Sequence, residues 1–345
     1  MTAADRLVSI GWNDDVADRI STLPTRSATD NTLTAGRIVR VDRGEVDVAL
    51  GSHPDDVVRA TTTTAAKDCV AGDWVVVDLE QARVEAVAAR LTAFVRRAAR
   101  GAFAPQTLAA NMDVVLVVQA LDPGLNLRRL ERELVLAHQS GATPVVVITK
   151  TDLVDADTVA EALDQARRTA ANVEVVAVSN RTGEGCDCLH QIVGPGRTFA
   201  LLGSSGVGKS TLVNTFAGEE VQLEGEIREG DGKGRHTTTA ARLIMLSDGR
   251  LLLDTPGVRA LALWESWDGL ALTFPEIEDL TSECGFADCF HDDEPNCAVV
   301  EAVEAGTIDA DRLDSWRRMR DEMAELDAHL TEQQRKRDRL ADRRR

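Results

Sequence analysis

The sequence of 345 residues predicts an α/β fold built around a phosphate-binding loop, with a small β-barrel before it and an α-helical metal-binding segment after it. Three observations carry that reading. Five short β-type runs lie between residues 33 and 92. Strand- and helix-type segments then alternate from residue 111 onward, the pattern of a parallel sheet covered by helices on both faces. Past residue 277, three cysteines and a histidine crowd together ahead of one long helical stretch.

Residues 1–32 read as an N-terminal extension with a short amphipathic piece around Leu7 to Ile20. The runs Gly36–Val41, Glu45–Leu50, Val57–Thr64, Asp73–Asp78 and Arg83–Ala88 are separated by turn residues such as Asp42-Arg43-Gly44, and predict an OB-like barrel over 33–92. Such a barrel binds RNA or serves as a plain scaffold. Residues 93–110 read as a linker in which Arg96, Arg97 and Arg100 are either solvated or a phosphate-binding patch. Within 111–276, Val114–Ala120 predicts a buried strand and Leu127–Gln139 a helix stopped by Gly141. Strand Val145–Thr149, helix Thr158–Ala171, strand Val173–Val178 and strand Thr198–Leu202 follow. After a glycine- and charge-rich loop, Ala241–Leu246 and Arg250–Leu253 predict two strands joined at Ser247-Asp248-Gly249. Residues 277–345 form the last unit. Its helix, from Ala310 to about Leu340, carries Leu313, Trp316, Met319, Met323, Leu326 and Leu330 as one apolar stripe.

The net charge is −18, from 57 acidic against 39 basic side chains, and Lys occurs only at 67, 150, 209, 233 and 336. A GC-rich genome or an acidic surface adapted to high salt accounts for this equally well. Global charge therefore excludes bulk attraction to nucleic acid, and any RNA contact has to come from local patches. No run approaches the ~18 apolar residues of a membrane span. Asp5, Asp14, Asp15 and Asp18 are unlike a secretory leader, so a cytoplasmic protein without membrane contact is expected.

The chemistry centres on Gly203-Ser-Ser-Gly-Val-Gly-Lys-Ser210, a G-x-x-x-x-G-K-[ST] loop between a strand and a helix. The backbone of Gly203, Ser204, Ser205, Gly206, Val207 and Gly208 is expected to turn successive N–H groups onto phosphate oxygens. The helix that opens at Lys209, Ser210 and Thr211 adds its positive end. Lys209 would reach the β- and γ-phosphates, and the Ser210 hydroxyl would bind Mg²⁺. Thr149-Lys150-Thr151-Asp152 is a variant of the guanine-reading N-K-x-D motif. The Asp152 carboxylate can accept from guanine N1–H and the exocyclic amine, a donor pair that adenine lacks. The Lys150 stem can lie over the base. Thr149 stands where asparagine is usual, which predicts the loss of a tie to the phosphate loop that a hydroxyl replaces in part. Ser179-Asn180 stands where the guanine O6 contact is made. Asp254-Thr255-Pro256-Gly257 is a D-x-x-G switch, with Asp254 toward Mg²⁺ and the Gly257 N–H toward the γ-phosphate. Thr238, in His236-Thr237-Thr238-Thr239, is either the switch threonine on Mg²⁺ and the γ-phosphate or part of a threonine run entering a strand.

Most GTPases run phosphate loop, switches, N-K-x-D, then S-A. Here the last two come first, as in a circular permutation that joins the second switch directly to the C-terminal unit. That unit holds Cys284-x4-Cys289-x-His291-x5-Cys297, a spacing that predicts a structural Cys₃His zinc site. Cys69, Cys186 and Cys188 read as ordinary thiols. The tail from Arg335 to Arg345 is either solvated or an RNA-phosphate contact.

Barrel, permuted Ras-like P-loop GTPase domain and zinc segment in this order resemble the ribosome small-subunit-dependent GTPase A family over about residues 33 to 320. Gly-Arg-His-Thr-Thr (234–238) and Asp-Thr-Pro-Gly-Val-Arg (254–259) are similar to its switch sequences. The resemblance implies a cytoplasmic factor that binds the maturing small (30S) ribosomal subunit and its 16S rRNA and hydrolyses GTP to GDP when stimulated by that subunit. It also implies that His236 orients the attacking water, with Lys209 and Thr238 completing the catalytic set. Val258 follows the switch glycine, where many GTPases place a water-orienting glutamine, so slow unstimulated turnover is expected. A monomer is expected. The alternatives are a GTP-stabilised RNA-binding module with little or no turnover, and a P-loop kinase, against which the Thr-Lys-x-Asp loop argues.

Overall fold

The computed structural model describes residues 3–23, 32–42, 44–97, 105–218, 221, 241–255, 267–286 and 288–342. Helices α1 (Ala3–Val8) and α2 (Asp14–Ser21) lead into a five-stranded barrel: β1 (Leu33–Val41), β2 (Glu45–Ala49), β3 (Val57–Thr62), β4 (Trp74–Asp78) and β5 (Arg83–Val87). The strands pair in the order β1-β2-β3-β5-β4, and a β1–β4 ladder closes the ring. Alternation along the sequence builds it. Val46 and Val48 point inward with Ile38, Val75, Val77 and Val84. Glu45 and Asp47 point outward, where Arg59 on the neighbouring strand bridges both.

The N-terminal extension is part of this body. Ile10 and Val16 are buried against Ala49, Trp74 and Ala88, and Trp12 meets Trp74 edge-on at 5.4 Å. Arg37 pins the pieces together. It is 2% exposed and donates to Ile10 O (2.8 Å), Asn111 O (2.7 Å) and Gly72 O (3.3 Å), with its guanidinium over the Trp74 ring. Burial lowers its pKa to about 10, opposed by Asp113, so the side chain stays charged at neutral pH.

Residues 93–110, expected as a linker, carry an antiparallel ribbon of β6 (Ala93–Arg97) and β7 (Pro105–Ala110). Phe94, Ala109 and Ala110 are buried, and Arg90 ties the ribbon to the barrel by forking onto buried Asp73 while donating to Thr107. Arg96 donates to Gln106; Arg100 and the Arg97 side chain lie outside the described residues.

The second body follows as β8 (Val114–Ala120), α3 (Leu127–Gln139), β9 (Thr143–Thr149), α4 (Ala156–Thr169), β10 (Glu174–Ala177), α5 (Cys186–Ile192), β11 (Thr198–Leu202), α6 (Lys209–Ala217), β12 (Arg242–Met245) and β13 (Leu251–Asp254). The sheet runs β10-β9-β8-β11-β13-β12, all parallel except β12. Its strands are apolar on both faces, as the alternating pattern requires. Val115, Val117, Val146 and Ile148 meet α3 and α4, while Val114, Leu116, Val145 and Val147 meet α5 and α6. Among the described residues, barrel and sheet are continuous through an antiparallel pairing of Arg40 with Arg242.

The chain ends in α7 (Trp267–Thr273), α8 (Pro275–Thr281), α9 (Ala298–Glu304) and α10 (Ala310–Asp342). These helices continue the core on the α3 side, where Phe274, Ile277, Val299, Leu313, Trp316, Met319 and Met323 join Leu130 and Leu134. The α10 stripe therefore packs on α3 and α7 as well as on its own unit. Backbones approach closely there: a Cβ on Gly269 of α7 would sit 2.8 Å from Val135 O of α3. Arg312, at the start of α10, locks the joint. It donates to Glu131, Glu276 and Thr273 O and stacks on Phe274.

Arg37→Ala leaves three carbonyl acceptors without their donor and opens a void beside Trp74. It is expected to cost about 2–4 kcal/mol of stability, read as a lowered urea midpoint. Arg37→Lys should recover little, because an ammonium cannot span the three carbonyls.

Candidate functional site

Parallel strands bring the loops after β8, β9, β10, β11 and β13 to one edge of the sheet, the edge where ligands bind in such folds. The phosphate loop follows β11, the strand between β8 and β13. Gly203, Gly206 and Gly208 all adopt positive φ, and a Cβ on Gly203 would fall 2.5 Å from Val118 O. Val207 anchors the loop in the core; Ser205 and Gly206 form its exposed tip, and Ser204 is half-buried. Lys209 opens α6, followed by Ser210 and exposed Thr211. The Lys209 ammonium donates to Gly203 O (3.0 Å) and Ser204 O (2.7 Å), curling over the loop. Among the described residues Ser210 Oγ is buried with no hydrogen-bond partner. A hydroxyl left without a partner behind a phosphate loop suits a hard divalent cation such as Mg²⁺. Asp254 ends β13 on the same edge, beside β11. His236, Thr238 and Gly257 lie outside the described residues.

The Thr-Lys-Thr-Asp loop stands against the phosphate loop. Thr149 is fully buried, and its hydroxyl oxygen lies 2.5 Å from Val207 O and 3.2 Å from Gln119 O. A hydroxyl has one proton, so the shorter contact is the main bond. The expected loss of a tie at this position is thus made good. Asn180 adds a second tie, from Nδ2 to Gly208 O at 3.3 Å. Lys150 takes a left-handed conformation (φ 62°) that turns the chain into the short 3₁₀ segment Thr151–Leu153. Buried Ser179 donates to Asp152 Oδ1 at 2.7 Å, and Arg181 Nε donates to Asp152 Oδ2 at 2.7 Å. First the Ser179 hydroxyl and then Arg181 hold the Asp152 carboxyl below its usual pKa, so it is an acceptor at neutral pH.

Motif reading missed three groups here. Gln119, 4% exposed, donates to Glu133 of α3 at 2.6 Å. Burial raises Glu133 to about 7, against the pull of Arg129, Gln119 and Lys209. Arg181 is the third. Burial around Gln119 and Glu133 is a property of the packed fold, and no spacing rule signals it.

The second cluster lies between α8 and α10. One ligand-type atom from each of Cys284, Cys289, His291 and Cys297 lies within 4.8 Å of all the others. Cys284 Sγ is 3.9 Å from Cys297 Sγ, and His291 Nδ1 is 3.4 Å and 3.5 Å from these two sulfurs. Burial lowers the His291 pKa, which favours the neutral imidazole that ligates metals. His291 meets Trp316 of α10 edge-on, and Arg317 donates to its carbonyl at 2.8 Å. The cluster can hold one metal ion.

Fold and site together define a circularly permuted P-loop GTPase. Two solved structures share the architecture. YjeQ from Thermotoga maritima matches with a TM-score of 0.62 and 25% identity, over 83% of this chain and 97% of its own. YloQ, titled a circularly permuted GTPase, matches with a TM-score of 0.61 and 25% identity, over 87% of this chain and 98% of its own. The family model described as RsgA GTPase matches residues 87–264. A second, described as ABC transporter, matches 187–342, less than half of the chain; among the described residues no helix is long and apolar enough to cross a membrane. The chain is 41% identical to the small ribosomal subunit biogenesis GTPase RsgA of Streptomyces avermitilis, over 94% of this chain and 88% of that protein. It is 40% identical to the protein of that name in Methanosarcina acetivorans, over 91% and 84%. This chain belongs to the RsgA GTPase family.

Thr149→Val keeps the shape and removes the bond to Val207 O. GDP binding is expected to weaken about 5- to 30-fold, the equivalent of ~1–2 kcal/mol, while Thr149→Ser stays close to the parent. Fluorescent-nucleotide titration checks both.

Proposed function

We propose that this GTPase acts in late maturation of the small (30S) ribosomal subunit, binding the subunit and its 16S rRNA and hydrolysing GTP when stimulated by it. The observation that supports the reading is the Thr149 bond to Val207 O, which joins two motif loops separated by 58 residues. The relatives' names supply the ribosomal context. Asp152, Lys150, Ser179 and Asn180 hold the guanine. The amides of residues 203–208, with Lys209 and Thr211, hold the phosphates, and the Gly257 N–H senses the γ-phosphate. Lys209 leaves its carbonyl contacts to take up charge that develops on the γ-phosphate as water attacks. His236 orients that water when the small subunit is bound. Ser210, Thr238 and Asp254 would hold Mg²⁺, which supplies charge neutralisation at the β- and γ-phosphates.

Cys284, Cys289, His291 and Cys297 would hold a structural zinc. Zn–S bonds of about 2.3 Å and a Zn–N bond of about 2.0 Å in a tetrahedron put ligand atoms roughly 3.5–3.8 Å apart. The separations of 3.4 to 3.9 Å among Cys284, His291 and Cys297 fit that size, and Cys289, within 4.8 Å of all three, would supply the fourth ligand. Under the same reading the chain is a cytoplasmic monomer divided at 33, 93, 111 and 277.

GTP turnover with and without small subunits tests the function. At least ~10-fold stimulation is expected, abolished by Lys209→Ala and reduced by His236→Ala. Tight GTP binding with no stimulated phosphate release would favour the GTP-stabilised RNA-binding alternative. Metal analysis should find one zinc per chain. Its removal under denaturing chelation should lower the thermal midpoint by about 10 °C, because metal affinity is folding energy in such a loop.

A further inference from the structure

An ionised carboxylate offers about four acceptor sites, two on each oxygen. Asp152 uses one on Oδ1 for the Ser179 hydroxyl and one on Oδ2 for Arg181 Nε, each at 2.7 Å. The polarity of this arrangement is fixed. Ser179 Oγ accepts from the Thr182 N–H at 3.1 Å, so its only proton goes to Asp152. Arg181 Nη2 also lies 3.5 Å from the main-chain carbonyl of Asp152. The guanidinium therefore grips one residue by side chain and backbone, from a loop that follows a different strand. It is itself 72% exposed, whereas the Asp152 side chain is 11% exposed. One acceptor site per oxygen remains, and guanine presents two neighbouring donors, N1–H and the exocyclic amine.

We propose that Arg181 is a specificity-determining positioning residue, which locks the Asp152 carboxylate in the one orientation that meets both guanine donors at once. The inference rests on the reading of residues 149–152 as the guanine loop. A single donor tolerates a carboxylate that swings; a donor pair does not. Loss of the lock therefore penalises a base with two donors more than a base with one. Hypoxanthine, which lacks the exocyclic amine, is the one-donor base.

The test compares dissociation constants of GDP, IDP and ADP for the full chain, Arg181→Ala and Arg181→Lys. For Arg181→Ala, GDP should bind about 10-fold more weakly and IDP less than about 3-fold more weakly, which narrows the preference for guanine. Arg181→Lys should restore part of the loss. The nucleotide-free unfolding midpoint should not move, because the side chain is mostly exposed. Equal weakening of GDP and IDP reduces Arg181 to a general support of the loop and overturns the proposal, as does unchanged GDP binding. Tighter GDP binding also overturns it, making Arg181 a competitor for the carboxylate. If the parent chain binds ADP as well as GDP, the guanine-loop reading itself fails. A parent that prefers GDP, with no shift in Arg181→Ala, sinks this inference alone.

Discussion

One buried hydroxyl holds the nucleotide edge together. Thr149 reaches from the end of β9 to the carbonyl of Val207, inside the phosphate loop. Both residues are buried, and although the hydroxyl has Gln119 O as a second acceptor, separation of the loops would take the Thr149 donor away from the Val207 carbonyl. The consequences spread outward. With Val207 fixed, Gly208 can start α6, and Lys209 and Ser210 take up their places at its head. Directly after Thr149, Lys150 makes its left-handed turn and Asp152 lies beside Ser179.

Elsewhere the fold depends on arginines that reach between elements. Arg37 joins the N-terminal segment, the barrel and the start of the parallel sheet; Arg90 joins the barrel to the ribbon; Arg312 joins α3, α8 and α10. Each uses the planar fork to reach several acceptors at once, which a lysine cannot do. Three of the 39 basic side chains are thus committed to internal joints in a chain whose net charge is −18. Any contact with nucleic-acid phosphates would have to rest on local patches among the others.

The sequence made the repeating parts of the fold legible. The five barrel runs appear within a few residues of their expected bounds, and α3 spans Leu127–Gln139 as its periodicity requires. The phosphate loop, the guanine-type loop and the Cys₃His cluster could be read because spacing itself encodes them. The ribbon over 93–110 was hidden by arginines and alanines whose β character comes only from packing against the barrel. The amphipathic piece around Leu7 to Ile20 shows that the extension has an apolar face, but not that Ile10 is buried against Trp74, because that partner is distant in sequence. Thr149 looked like a weakened asparagine until its hydroxyl met Val207. Arg181 directly follows the Ser179-Asn180 pair, but its grip on Asp152 is revealed only by the pairing of the two loops.

The pairing of Arg40 with Arg242 makes the barrel's longest strand a neighbour of β12, whose partner β13 ends in Asp254. Hydrogen bonding thus runs unbroken from the wall of the barrel to the rim of the nucleotide edge. Two bodies stitched in this way share backbone hydrogen bonds, so one could swivel against the other only by bending or breaking that pairing. A shift at the rim would have a path along β13 and β12 to the barrel wall. A surface gripping the barrel would then feel the nucleotide as a change in its own shape.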